Sequence, residues 1–212
     1  MDENKTELYN FLSDCISVEQ TPGKTLYCTK GTDVLATSDS EIGADIAPCN
    51  HEEADTRLIL HALHCAKHGH HRILIRTVDT DVVVLSIATF HALGIDELWI
   101  AFGVKKHYRY IAIHTISNRL GREKSRALPF FHALTGCDTT SSFSSVGKKT
   151  AWDTWKAFPE ITDTFIDLGN MPLSLADENM NHLQRFVILL YDRTSQCTQI
   201  NQCRKMLFAT GR

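Results

Sequence analysis

Acidic side chains fall in three short motifs whose types and spacing could do chemistry. Glu53 and Asp55 stand in His51-Glu-Glu-Ala-Asp-Thr56, Asp79 and Asp81 in Val78-Asp-Thr-Asp-Val82, and Asp138 in Thr135-Gly-Cys-Asp138. The first motif opens an amphipathic segment, the second ends an apolar run, and the third sits in a Gly/Ser/Thr-rich turn. Carboxylates brought together repel unless they are protonated or share a cation. Hard oxygen donors suit Mg²⁺ or Mn²⁺, whereas Cys and His would suit zinc. Two such ions, roughly 4 Å apart, activate a water and steady a leaving oxygen, which is the chemistry of phosphodiester hydrolysis.

Each motif also has a structural reading. Asn50 can cap a helix, with Glu53 three residues later closing a capping box, and negative charge there favours the helix dipole. Asp79 can cap the helix that follows it, and Asp138 can hold an Asx turn. Asp55 and Asp81 are not needed for any of these roles, so capping alone does not account for the set.

The elements that must position these acids are legible in the hydrophobic pattern. Residues 3–18 read as a helix, with Leu8, Phe11, Leu12 and Cys15 on one stripe, and Pro22-Gly23 breaks it. Segments 26–29 and 33–37, separated by Lys30-Gly31, suggest a small hairpin or irregular arm, and 38–50 a polar connector. Residues 52–68 are helical, with Leu58, Ile59, Ala62, Leu63 and Ala66 on one face and Gly69 as a stop signal. A strand over 72–76, a helix over 80–93 closed by Gly94, and strands over 97–102 and 108–113 follow. Alternation of helix and strand with Gly-marked links indicates a mainly parallel α/β sheet. Beyond 116 the pattern is mainly helical, over 124–134, 147–158, 176–191 and 198–208. Functional groups in open parallel sheets gather beyond the carboxyl ends of strands, where Asp79 and Asp81 fall.

The motifs resemble those of the structure-specific 5′ nucleases, the flap-endonuclease branch of the PIN-like superfamily. Glu53-Ala54-Asp55 looks like that family's Glu-Ala-Glu/Asp element, Asp79-Thr-Asp81 its second Asp-x-Asp element, and Gly136-Cys-Asp138 its Gly-x-Asp element. Val146-Gly-Lys-Lys-Thr-Ala151 follows at the family's spacing into a helix–hairpin–helix turn, with Ser145 where the first glycine usually stands. Within the superfamily the chain is most similar to uncharacterised animal PIN-like proteins, often associated with mobile elements, that carry His-Glu-Glu-Ala-Asp-Thr-Arg and Thr-Gly-Cys-Asp.

The resemblance implies a three-layer PIN-like sandwich over 51–140, followed by a helix–hairpin–helix and helical region over 141–212, with 1–50 as an N-terminal helix and arm or insertion. It implies that Glu53, Asp55, Asp79, Asp81 and Asp138 ligate two Mg²⁺ or Mn²⁺ ions, with Glu52 in support. Gly147, Lys148 and Lys149 would grip a nucleic-acid backbone, DNA ahead of RNA, through main-chain amides and point charges. No organic cofactor is implied. The family's fold opens with a buried strand ending in Asp-Gly, and nothing before residue 51 reads that way. The chain therefore looks like a fragment at both ends, and a catalytically inactive or truncated module, a mobile-element remnant, is the alternative reading.

Other constellations carry less. His61, His64, Cys65 and His68 have helical spacing and could bind zinc in a structural interaction domain, but no matching Cys/His pair follows, and a solvated face is the simpler expectation. Gly147-Lys-Lys-Thr150 lacks the glycine of a phosphate loop, which is Ser142 here, and has Lys149 in place of Ser/Thr. Lys105-Lys-His-Tyr-Arg109, and Arg122 with Lys124 and Arg126, are local basic clusters able to contact phosphates or simply solvated. Trp152 and Trp155 read as core packing.

Composition sets the frame. The 212 residues, 43% apolar and 22% charged, describe an ordinary globular protein with one substantial core. Seven irregularly spaced cysteines without a secretory segment read as reduced, mostly buried thiols of an intracellular protein, with the nucleus expected ahead of the cytoplasm. No apolar run reaches the roughly 18 residues that span a bilayer. A net charge of −3 gives no general footprint for nucleic acid, so any such contact relies on local patches. Oligomeric state is left open.

Overall fold

The computed structural model describes residues 2–19, 22–37, 45–50 and 53–210. Helix α1 (Asp2–Ser17) packs on a hairpin of β1 (Tyr27–Lys30) and β2 (Asp33–Ala36), whose strands pair antiparallel in a sheet of their own. Helix α2 (Ala54–Lys67) then leads into β3 (Arg72–Thr77), α3 (Thr80–Leu93), β4 (Glu97–Phe102) and β5 (Arg109–Ala112). The second sheet runs in the order β3-β4-β5, with β4 parallel to β3 and antiparallel to β5. The sheet is therefore mixed rather than mainly parallel, because the short link over 103–108 reverses the chain and leaves no room for a crossover helix.

The period-2 pattern decides which face is buried. Ile73, Ile75, Leu98, Ile100 and Ile111 turn into one core with α2, α3 and α4 (Ile113–Leu120). On α3 the stripe Val82, Ser86, Ile87, Phe90 and Leu93 meets them, and Gly94 closes the helix at φ 66. The opposite sheet face is open at its edge strands, with Leu74 58% and Tyr110 60% exposed, while on central β4 Ala101 is buried and Trp99 is half-buried beside His114. A third layer on that face is thus not formed by these residues.

Helix α5 (Arg122–Leu134) joins this core to a second one. There Phe131, Trp155, Phe165 and Phe186 stack in sequence, with ring centroids 4.8, 5.3 and 5.4 Å apart. These rings come from α5, α6 (Lys148–Ala157), α7 (Ile161–Gly169) and α8 (Asp177–Tyr191), and α9 (Ile200–Ala209) covers the end of α8. Trp155 is fully buried, as its helical spacing predicts, while Trp152 is half-buried against it. Helices α4 and α7 are the ones the sequence pattern did not resolve; both are short, at 8 and 9 residues. Between α5 and α6, residues 135–147 form turns and no helix, so the first helix of the expected helix–hairpin–helix is absent there.

The seven cysteines are free thiols, and Cys49, Cys197 and Cys203 are the buried ones, fewer than expected. No helix among the described residues is long and apolar enough to cross a membrane.

Candidate active site

The β3–α3 link sets the first pair of acids. Asp79 Oδ1 accepts the backbone N–H of Asp81 at 2.8 Å, so Asp79 is the N-cap of α3. Its own N–H donates to Thr77 Oγ1 at 3.0 Å, which fixes the turn at the carboxyl end of β3. Asp81, in the first helical turn, is held from across the cleft: His132 Nε2 on α5 lies 2.9 Å from Asp81 Oδ1. His132 is mostly shielded and Asp81 about one-third exposed, so the pair sits at the rim of the cleft rather than in the core.

The loop after α5 supplies Asp138. Thr135 Oγ1 donates to Phe131 O at 2.7 Å and ends the helix. Gly136 follows at φ 97, and a Cβ built there would lie 2.7 Å from Ser142 Cβ. Only glycine satisfies both the backbone angle and that approach. Thr140 then donates to Ala133 O at 2.7 Å and accepts the Cys137 N–H at 3.0 Å, folding a turn that presents Asp138 to solvent. Thr140 rather than Asp138 holds the turn, so the Asx-turn reading of Asp138 is replaced.

Asp79, Asp81 and Asp138 line one pocket of about 510 Å³, together with Thr80, His132, Cys137 and Lys148. Asp55, on α2, is within electrostatic reach of Asp79 and Asp81, but neither it nor Glu53 lines this pocket. Burial raises the Asp55 carboxyl above its ordinary range, and the charges of Asp79, Asp81 and Glu53 push it further the same way. Glu53 is the N-cap residue of α2 but makes no side-chain cap hydrogen bond, so the capping box expected from Asn50 is not formed. Its carboxylate is exposed. Glu52, expected in support, lies outside the described residues.

Lys148 was expected to grip a nucleic-acid backbone from the turn before α6. Its ammonium instead lies in the acid pocket, donating to His132 O at 3.0 Å and Thr135 Oγ1 at 3.1 Å. Burial lowers its pKa, while Cys137 and Asp81 pull in the opposite direction. The Cys137 thiol is lowered by hydrogen bonds with Thr140 and then Thr139, at 3.3 and 3.5 Å. Gly147, the N-cap of α6, and Lys149 stay exposed outside the pocket. Sequence reasoning missed His132 and Cys137. The available signal was position: His132 lies on the last turn of the helix whose C-terminal loop carries Asp138.

The donor chemistry fits a hard divalent cation, because Glu53, Asp55, Asp79, Asp81 and Asp138 offer only carboxylate oxygens. As the side chains stand, no three His, Cys, Asp or Glu groups among the described residues are close enough together to hold an ion. One Asp79 oxygen caps α3 and one Asp81 oxygen faces His132, which leaves the others for a ligand.

The histidine-rich helix is not the solvated face expected. His64 is buried and faces Asp45 at 3.2 Å, while half-buried His61 meets Thr29 Oγ1 at 3.0 Å. This seam docks the N-terminal arm on α2. Asp45 is held below the usual carboxylate range: desolvation opposes this, but the His64 hydrogen bond and the charges of His64 and Lys67 prevail. Lys124, which the sequence leaves as a phosphate contact or a solvated charge, lies 5.5 Å from the Trp155 ring and 5.8 Å from the Trp152 ring, a cation–π role inside the protein.

The chain is thus a mixed α/β protein with an acid-lined pocket at the carboxyl end of a parallel strand pair. Comparison with protein-family models, curated proteins and solved structures gave no match.

Proposed function

We propose that the acid-lined pocket is the site of a divalent-metal-dependent phosphodiester hydrolase acting on nucleic acid, DNA ahead of RNA. In this reading the domain is a PIN-like relative of the flap endonucleases, working inside the cell and in the nucleus. The observation that supports it is the convergence of motifs distant in sequence: Asp79 and Asp81 from the β3–α3 turn and Asp138 from the loop after α5 line one pocket. Asp55 on α2 feels the charges of Asp79 and Asp81, and Glu53 stands beside it as the N-cap residue of that helix.

Glu53, Asp55, Asp79, Asp81 and Asp138 would hold two Mg²⁺ or Mn²⁺ ions. When bound, these would supply positive charge to activate water and to neutralise the leaving oxygen. His132 holds one oxygen of Asp81 and so fixes how the other can be offered. Lys148 spends two N–H donors on His132 O and Thr135 Oγ1, and its third is available to a phosphate oxygen. Gly147 and Lys149, exposed at the start of α6, would meet the nucleic-acid backbone outside the cleft.

The test is cleavage of labelled DNA and RNA substrates in Mg²⁺ or Mn²⁺ by the protein and by the double variant Asp79→Asn/Asp81→Asn. The variant should fold and lose cleavage. Equal cleavage by both proteins sinks the assignment.

A second reading has its own observation. Because no three candidate ligands among the described residues stand at metal-holding spacing, the same chain also suits a catalytically inactive PIN-like module that binds nucleic acid or protein. Absence of cleavage by the wild type, together with absence of Mn²⁺ binding by calorimetry, selects it.

A further inference from the structure

The face of the second sheet turned away from the core carries a composition that a merely solvated face does not need. By the strand register, the row Arg76, Ala101 and Tyr110 lies across β3, β4 and β5, with Leu74, Trp99 and Ala112 as the next row. Tyr108 stands beside the first row, with its ring centroid 5.4 Å from that of Tyr110 in an edge-on contact. The Arg76 guanidinium lies over the Tyr108 ring at 5.2 Å. Trp99 is fixed in place by its N–H, which donates to Glu97 Oε2 at 2.7 Å.

Charge on this face departs from that of the chain as a whole. Arg72 and Arg76 project from β3, and Lys105 and Lys106 stand exposed in the turn before Tyr108. Gly103 makes that turn possible: its φ is 84, and a Cβ there would lie 2.7 Å from His107 O. Against these cations the face sets Glu97, already engaged by Trp99. A chain of net charge −3 therefore concentrates cations beside exposed tyrosines on one flat surface. Polyanions complement the charge, and the aromatic faces add selection. A duplex hides the faces of its bases, and among the described residues this surface has no helix or ribbon to enter a groove. Single strands offer unstacked bases to aromatic rings and phosphates to arginine.

We propose that this open sheet face binds single-stranded nucleic acid, with bases stacked on Tyr108 and Tyr110 and phosphates met by Arg76 and the Lys105–Lys106 turn. The inference rests on the hydrolase reading only for its direction. Thr77 follows Arg76 and accepts the Asp79 N–H, so along the chain the upper row lies close to the first acid of the pocket. Binding itself needs no hydrolysis.

Fluorescence anisotropy in EDTA, with the whole chain and oligonucleotides of about 15 nucleotides, tests it; that length covers the site size of a single binding fold. The arms are oligo-dT, oligo-rU and a duplex of the same length. Tyr108→Ala/Tyr110→Ala should weaken single-strand binding by about ten-fold or more. Arg76→Gln should weaken it and lower the slope of log affinity against log salt by about one. Arg193→Gln, which removes an exposed charge elsewhere, should change it little. The two single-strand arms tell DNA from RNA, and either as the tighter ligand supports the proposal. Unchanged affinity in the tyrosine variant, preference for duplex, or sedimentation showing a dimer that the tyrosine variant abolishes overturns it. A wild type that binds the strand but never cuts it in Mg²⁺ overturns the hydrolase and supports the platform.

Discussion

His132 Nε2 lies 2.9 Å from Asp81 Oδ1, joining the last turn of α5 to the first turn of α3. This contact orients an acid whose own helix leaves it free to rotate toward solvent. If Asp81 ligates an ion, partners of this kind carry about 10–100-fold in metal affinity or activity. We therefore predict that His132→Ala lowers Mg²⁺-dependent cleavage by that factor while far-ultraviolet circular dichroism stays unchanged. His132→Gln, which keeps an N–H donor near the same place, should recover part of the loss. Equal rates for His132→Ala and wild type remove His132 from the site.

Cation binding should appear as stability. Close carboxylates destabilise the folded state until a cation neutralises them, and a ligand bound only by the folded state adds about 2.7 kcal/mol at a hundred times its dissociation constant. Addition of Mn²⁺ should raise the melting temperature of the wild type. The same addition should leave Asp79→Asn/Asp81→Asn almost unmoved. A shift of the same size in both proteins places the ion elsewhere.

Much of this arrangement was legible in the sequence because its elements are strongly patterned. The stripe of α3, its Asp79 cap and its Gly94 stop made that helix plain, and the apolar runs within 72–76 and 97–102 did the same for β3 and β4, although the run over 72–76 reads as a buried strand and Leu74 is exposed. What was hidden depends on contacts between distant segments. The short link between 97–102 and 108–113 already marks β5 as antiparallel, since a parallel crossover needs a dozen or more residues, but the helix–strand alternation before it suggests a mainly parallel sheet. The helical spacing of His61 and His64 suits a wet face or a dry seam, and the Asp45 and Thr29 contacts decide it. Lys148 carried a backbone-gripping expectation from its motif, yet acceptors 13 and 16 residues upstream draw its ammonium into the acid pocket.

The raised carboxyl of Asp55 yields a prediction with a definite sign. A folded-state pKa above the unfolded value means that the folded protein binds the proton more tightly. The resulting penalty is fully present above the raised value and is relieved as pH falls through it. Asp55→Asn removes that penalty. In the absence of divalent metal it should stabilise the protein at neutral pH by up to about 0.5 kcal/mol, the scale of a surface substitution. The advantage should fade as pH drops below the ordinary carboxylate range. Urea titrations across that pH span measure it, and a destabilised variant at neutral pH contradicts the repulsion.

Ser86 offers a test of the core that is independent of function. Its side chain is fully buried in α3, and its hydroxyl finds no hydrogen-bond partner among the described residues. A buried unsatisfied hydroxyl costs about 1–3 kcal/mol, and alanine is the better helix former at such a position. The small cavity left by the missing oxygen offsets part of that gain. Ser86→Ala should therefore stabilise the fold by about 1 kcal/mol, read as a higher urea midpoint with an unchanged slope. A lower midpoint would mean that the hydroxyl is satisfied in solution, by a bound water or by rotation toward a helix carbonyl.

Gly136 links the fold to the site most directly. Its φ of 97 and the approach of Ser142 leave no space for a side chain, and the turn it begins presents Asp138 to the pocket. Gly136→Ala combines backbone strain with a clash against Ser142, each worth about 1–3 kcal/mol. The strain falls on the loop over 135–147, which lends only half-buried Phe143 and Val146 to the aromatic core, while the buried rings of that core come from the helices. The variant should therefore keep its helical content but lose cleavage and the Mn²⁺-dependent shift in melting temperature together. Ser142→Gly on that background relieves the Cβ contact but not the backbone angle, so it should restore only part of both. Full activity in Gly136→Ala would show that Asp138 does not need this turn to reach the site.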